Sequence, residues 1–202
     1  GQPETVVSSL IDELSVDAVF VNEDVTPFSR RRDEAIKQVC HDSDVAFVSC
    51  HDLFLTRPGS VRTNQGTPYK VFTPFMRSAR ERQVPRPQDV PSISSFDGEV
   101  ACSWPEYAEL VSQPQELFAV GGRSHALDIL DSLSVFEKYD SQRDVPAVDA
   151  TTGLSAYHKF GCVSVRETYH AVVDALGADH TIISQLYWRD FFSHVAYDFP
   201  EV

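Results

Sequence analysis

The chain has 202 residues, 42% of them hydrophobic and 23% charged, which excludes a disordered tail and is enough to bury a core in one or two domains. Its 30 acidic against 17 basic residues give a net charge of −13, and the scarcity of lysine, four against 13 arginines, reads as a salt-adapted surface that opposes nucleic-acid binding unless basic residues gather locally. No apolar run nears the roughly 20 residues of a membrane span, and four scattered cysteines without a Cys-x-x-Cys pair argue against a zinc ribbon or a disulfide framework, so a cytoplasmic protein without membrane contact is expected.

Val16–Val21 is a short run rich in β-branched residues, the mark of a buried strand, and Pro27–Val39 follows as a helix carrying Ala35, Ile36 and Val39. Val45–Val48 is a second strand, so strand, helix and strand fall within about 30 residues, the pattern of a parallel α/β sheet. Pro58-Gly59 and Asn64-Gln-Gly66 punctuate a loop. Read locally, Thr73 caps the next helix and Pro74 takes its first position. Between Gln83 and Pro114 lie five prolines and many serines without a sustained period, which reads as an interdomain linker.

From Gly121 the periodicity becomes helical: Ala126, Ile129, Leu130, Leu133 and Phe136 share one face of a single expected helix. Thr151-Thr152-Gly153-Leu154-Ser155 offers three hydroxyls at an expected helix start, where free backbone amides and the positive dipole end attract anions. Ser164-x-x-Glu167 is a capping box, and the helix it opens buries Val165, Tyr169, Val172, Val173 and Leu176 before Gly177 stops it. Thr181–Asp198 is apolar nearly all round, yet Gln185, Trp188, Arg189 and Phe192 recur at helical spacing on one face, where a buried amide, indole and guanidinium need partners. The histidines show no metal-ligand spacing, so no metal site is expected; His41-Asp42 and His51-Asp52 read as surface residues at element ends.

Tyr139…Arg143-Asp144…Pro146, Thr151-Thr152-Gly153-Leu154-Ser155, Phe160-Gly161…Ser164…Arg166 and Trp188-Arg189-Asp190-Phe191, in that order, resemble the opening of the flavin-binding lobe of the DNA photolyase and cryptochrome family. Tyr69-Lys-Val-Phe-Thr-Pro-Phe75 is similar to a signature near the end of that family's amino-terminal domain. The resemblance implies an α/β then all-α architecture: a partial doubly wound parallel domain over 1–82, a linker over 83–120, and the first helices of a helical FAD-binding domain over 121–202. Together with the opening Gly1 and the lone methionine, Met76, it implies a piece of a longer protein.

The same resemblance implies FAD as cofactor, held by Tyr139, Thr151, Thr152, Gly153, Leu154, Ser155, Gln185, Arg189 and Phe192. UV-damaged DNA is the implied partner, with Arg143 toward its phosphates and Gln185 and Trp188 at the flipped pyrimidine dimer. The intact protein is then expected to be a monomeric carbon–carbon lyase that splits such dimers by light-driven electron transfer. No catalytic residue falls within these 202 residues, and the chain alone is expected to be inactive. The alternatives are a cryptochrome-type photosensor and an inactive remnant.

Departures from the family pattern are Gln185, where many dimer-repair enzymes carry Glu; Gly153, where Arg is frequent; Ala156 and His158, in place of Pro and Leu; and Ala79, in place of Trp. Phe28 and Ser29 replace the Asn and Glu of folate-using members, so the antenna chromophore is left unassigned.

Overall fold

A computed structural model describes residues 2–88, 92–94, 96–98 and 119–201. Helix α1 (Pro3–Glu13), which the apolar pattern did not single out, precedes strand β1 (Ala18–Asn22). Helix α2 (Pro27–Asp42) then crosses over to strand β2 (Ala46–Cys50), which pairs with β1 in parallel, Ala18 opposite Ala46 and Asn22 opposite Cys50. Thr26 starts α2 because its hydroxyl accepts the Ser29 N–H at 3.2 Å while Pro27, lacking a donor, loses nothing in the first turn. The expected strand–helix–strand unit is therefore present, with α2 running one turn further than the sequence suggested.

Beyond β2 the chain runs as an irregular segment to helix α3 (Phe72–Arg80). Gly59 turns it at φ +81°, under the ring of Tyr197; a Cβ there would stand 2.6 Å from Tyr197 Cε1, so any other residue would be strained and would have to displace that ring. The cap expected at Thr73 is displaced: Val71 precedes the helix and Pro74 occupies its third position. Proline is tolerated there because the first-turn N–H groups have no intrahelical acceptor.

The linker expected over 83–120 lies mostly outside the described residues. After it come helix α4 (Arg123–Asp131), a 3₁₀ turn (Leu133–Phe136), and helices α5 (Tyr139–Gln142), α6 (Leu154–Lys159), α7 (Val165–Leu176) and α8 (Thr181–Asp198). The single helix expected through Phe136 is broken at Ser132. Its hydroxyl donates to the carbonyls of Asp128 (2.9 Å) and Ile129 (3.1 Å), and its N–H closes a tighter turn on Ile129. Leu133 still reaches the core, where it is 1% exposed.

The capping box of α7 forms as the sequence predicts: Glu167 N–H donates to Ser164 Oγ at 3.1 Å, and Ser164 N–H to Glu167 Oε2 at 2.8 Å. Arg123 also grips Glu167 with both terminal nitrogens, which together with the cap holds its carboxyl below the usual range.

One hydrophobic core draws on both ends of the chain. Leu55, Val61, Phe75, Ala79 and Val84 from the first part pack with Leu133, Val165, Val172, Leu186, Tyr187 and Phe191 from the second. Burying each large side chain is worth about 1.5–3 kcal/mol, so the helical part is fastened to the α/β part by packing as well as by covalent connection. Ala79, where the family pattern has Trp, is fully buried in this core.

Candidate functional site

Helices α6, α7 and α8 with α5 enclose an open cavity of about 380 Å³. Tyr139, Thr151, Thr152, Gly153, Leu154, Ser155, Gln185 and Arg189 line it, together with His158, Thr168, Ile182 and Leu186. Eight of the nine residues expected at a cofactor site are thus brought together from three separate stretches of sequence. Gly153 precedes α6 in the left-handed region, at φ +63°. Thr152 Oγ1 accepts the Leu154 N–H at 3.4 Å. Helix α6 has only six residues, so its dipole is small, and the polarity of this wall comes from hydroxyls rather than a long helix end.

Among the described residues, Arg189 is the one formally charged residue on the cavity wall, and no carboxylate lines it. Its Nη1 donates to the Leu53 carbonyl, its guanidinium carbon lies 5.4 Å from the centre of the Phe54 ring, and among the described residues it makes no salt bridge. Burial lowers its pKa from the ordinary arginine value. Asp190 and Asp24 act on it only from beyond salt-bridge distance, and a buried guanidinium without a contacting carboxylate favours an anion.

Phe192 and Trp188 do not reach the cavity. Phe192 is 62% exposed; seven residues beyond Gln185, it sits about 10 Å further along the helix. Trp188 and Arg189 project about 100° apart around the axis of α8, and the cavity opens on the Arg189 side. Trp188 instead stacks on Phe72, with ring centres 3.7 Å apart at 10°, and on Phe192 at 5.6 Å. Arg143, expected toward DNA phosphates, lies 5.9 Å from the Tyr139 ring centre and pairs loosely with Asp144 at 3.7 Å.

Two polar groups on the wall carry no anion-binding expectation from sequence. His158 is 6% exposed, and its Nε2 lies 2.8 Å from the hydroxyl of Thr168. Burial and the neighbouring charge of Arg189 lower its pKa to about 4, so it is neutral at pH 7. Thr168 went unnoticed, although a polar residue on the apolar face that carries Val165 and Val172 was the available signal.

Behind the cavity wall, Asp190 is completely buried. Its carboxylate accepts the N–H groups of Leu55 (3.2 Å) and Thr56 (2.7 Å) and the Thr56 hydroxyl (3.0 Å). The Gly59 N–H donates to His194 Nδ1 at 3.2 Å, which leaves the His194 proton on Nε2, facing Thr56 Oγ1 at 3.2 Å. Burial raises the Asp190 pKa to about 6 and lowers that of His194 to about 4. Nearby, Arg166 donates to the His51 carbonyl at 2.9 Å and pairs with Asp52 at 3.5 Å. His51-Asp52 therefore belongs to the junction with the helices rather than to free surface.

The DNA photolyase family model matches residues 1–92. The deoxyribodipyrimidine photo-lyase of Halobacterium salinarum is 30% identical over 98% of the chain and 44% of its own length. An uncharacterized 31.6 kDa protein of Synechococcus sp. is 30% identical over 95% of the chain and 72% of its own. Among solved structures, a class III photolyase from Agrobacterium tumefaciens superposes with a TM-score of 0.86 at 27% identity, over all of this chain and 45% of that one. An archaeal photolyase from Sulfolobus tokodaii, described with two FAD molecules, gives 0.79 at 31% identity over all of this chain and 43% of that one. The chain thus spans about half the length of the photolyases it matches. With the cavity assembled from the segments that carry the motifs, and with relatives aligned across both of its parts, the chain belongs to the DNA photolyase and cryptochrome family.

Proposed function

We propose that this chain supplies one wall of an FAD site in a blue-light flavoprotein that repairs UV-induced pyrimidine dimers in DNA, the activity of a deoxyribodipyrimidine photo-lyase. The observation that carries this reading is Arg189, without a salt bridge among the described residues, on a cavity wall to which those residues contribute no carboxylate, beside the hydroxyls of Thr151, Thr152 and Ser155, in a chain of net charge −13. That donor set suits the pyrophosphate of a dinucleotide. A cavity of about 380 Å³ is at the small end for a ligand site, as befits a wall rather than a complete enclosure. Bound and reduced, FAD would supply the light-driven electron. The residues here would hold and orient it: Arg189 and the hydroxyls at the phosphates, Gln185 by its amide, and Ile182, Leu186 and Leu154 by excluding water.

Damaged DNA would approach as a monomer's substrate, with extrusion of the lesion cheaper than that of a normal pair. Gln185 favours a second reading, a photosensor without repair, because a neutral amide hydrogen-bonds a dimer more weakly than the carboxylate of many repair enzymes. Blue-light irradiation of the natural protein carrying this sequence, with FAD and UV-irradiated DNA, separates the two. Restored pyrimidines are expected; bound flavin without repair would favour the sensor, and absence of flavin binding would overturn both.

A further inference from the structure

The geometry points to Phe54 as a positioning residue: its ring and the Leu53 carbonyl fix the head of Arg189, a residue of the cavity wall, so that the α/β part of the chain sets the anion selectivity of a site built on the helical part. This rests on the reading that Arg189 meets the phosphates of a dinucleotide.

An arginine side chain has several rotatable bonds and swings freely unless its head is held at more than one point. Here the head is held twice. Nη1 donates to Leu53 O, and the buried Phe54 ring, 4% exposed, lies against the guanidinium at 5.4 Å. Phe54 is itself backed by the His51 ring, stacked at 6.1 Å and 20°. The next residue along α8, Asp190, pins Leu55 and Thr56 by their N–H groups. Consecutive side chains of one helix thus seize consecutive residues of one segment, and the segment cannot slide without releasing both. With Nη1 committed to Leu53, the remaining guanidinium donors are left for a ligand.

The test compares the natural protein carrying this sequence with its Phe54→Leu and Phe54→Tyr variants by two measurements. The first is equilibrium dialysis against FAD and against riboflavin, which lacks the phosphates. Wild type and Phe54→Tyr should prefer FAD, whereas Phe54→Leu should lose about tenfold in FAD affinity with riboflavin binding unchanged. Equal loss of both ligands, or an undiminished preference, would overturn the inference.

The second is the Arg189 Nε–H resonance in ¹⁵N-arginine-labelled protein, assigned by its loss in Arg189→Lys. It should be sharp in wild type and broadened by exchange in Phe54→Leu; an unchanged resonance would also overturn the inference. If wild type shows no preference for FAD while the resonance responds to Phe54→Leu, the positioning stands and the cofactor reading falls.

Discussion

Acidification from pH 7 to pH 5 should destabilise this chain chiefly through three strongly shifted buried groups, with His51, lowered by burial and by the charge of Arg166, adding in the same direction. His158 and His194 both have folded-state pKa values near 4, below the 6.5 of free histidine. Groups with depressed values contribute stability that is complete above 6.5 and lost as pH falls toward 4, because the unfolded chain takes up protons that the folded chain refuses. Each costs about 2 kcal/mol over this interval. Asp190 opposes them: its pKa is raised to about 6, so the folded state binds the proton more readily and regains about 1 kcal/mol on acidification. The net expectation is a loss of about 2 to 3 kcal/mol. His158→Leu should shrink the difference between pH 7 and pH 5 to less than about 1 kcal/mol, and Asp190→Asn should widen it to about 4. Urea unfolding followed by far-ultraviolet circular dichroism at the two pH values measures all three. A wild-type stability that is flat or higher at pH 5, or a pH difference that Asp190→Asn narrows, would refute this assignment of protonation states.

Asp190→Ala should cost about 3–6 kcal/mol at pH 7, since it leaves two backbone N–H groups and the Thr56 hydroxyl without their acceptor; urea unfolding showing a loss below about 1 kcal/mol would mean that water replaces the carboxylate. Ser164→Ala removes the α7 cap and should cost about 1 kcal/mol, read as a drop in the thermal midpoint, with Arg123 and Glu167 still paired.

Much of the architecture was legible because local signals agreed with tertiary demands. The Ser164–Glu167 box, the Pro27 helix start and the alternation of short apolar runs with a helix each specify their element without help from distant residues. The cavity was legible only through the order of motifs, since nothing in Thr151–Ser155 alone distinguishes an anion site from an ordinary cap. What escaped was information carried by distant partners. Asp190 stood out only as a member of the Trp188–Phe191 motif, yet it faces the backbone of residues 55 and 56, some 135 positions away in the sequence. Trp188 shares a nominal helix face with Arg189, but the proximity of Phe72 decides where its ring goes. The break at Ser132 turned on a single hydroxyl competing for main-chain carbonyls, which apolar periodicity does not register.

The core shared between residues 55–84 and 133–191 makes the two parts of the chain cohere independently of the stretch that joins them. Arg189 and Asp190, gripping the segment that follows β2, act as a clasp between residues more than 130 positions apart.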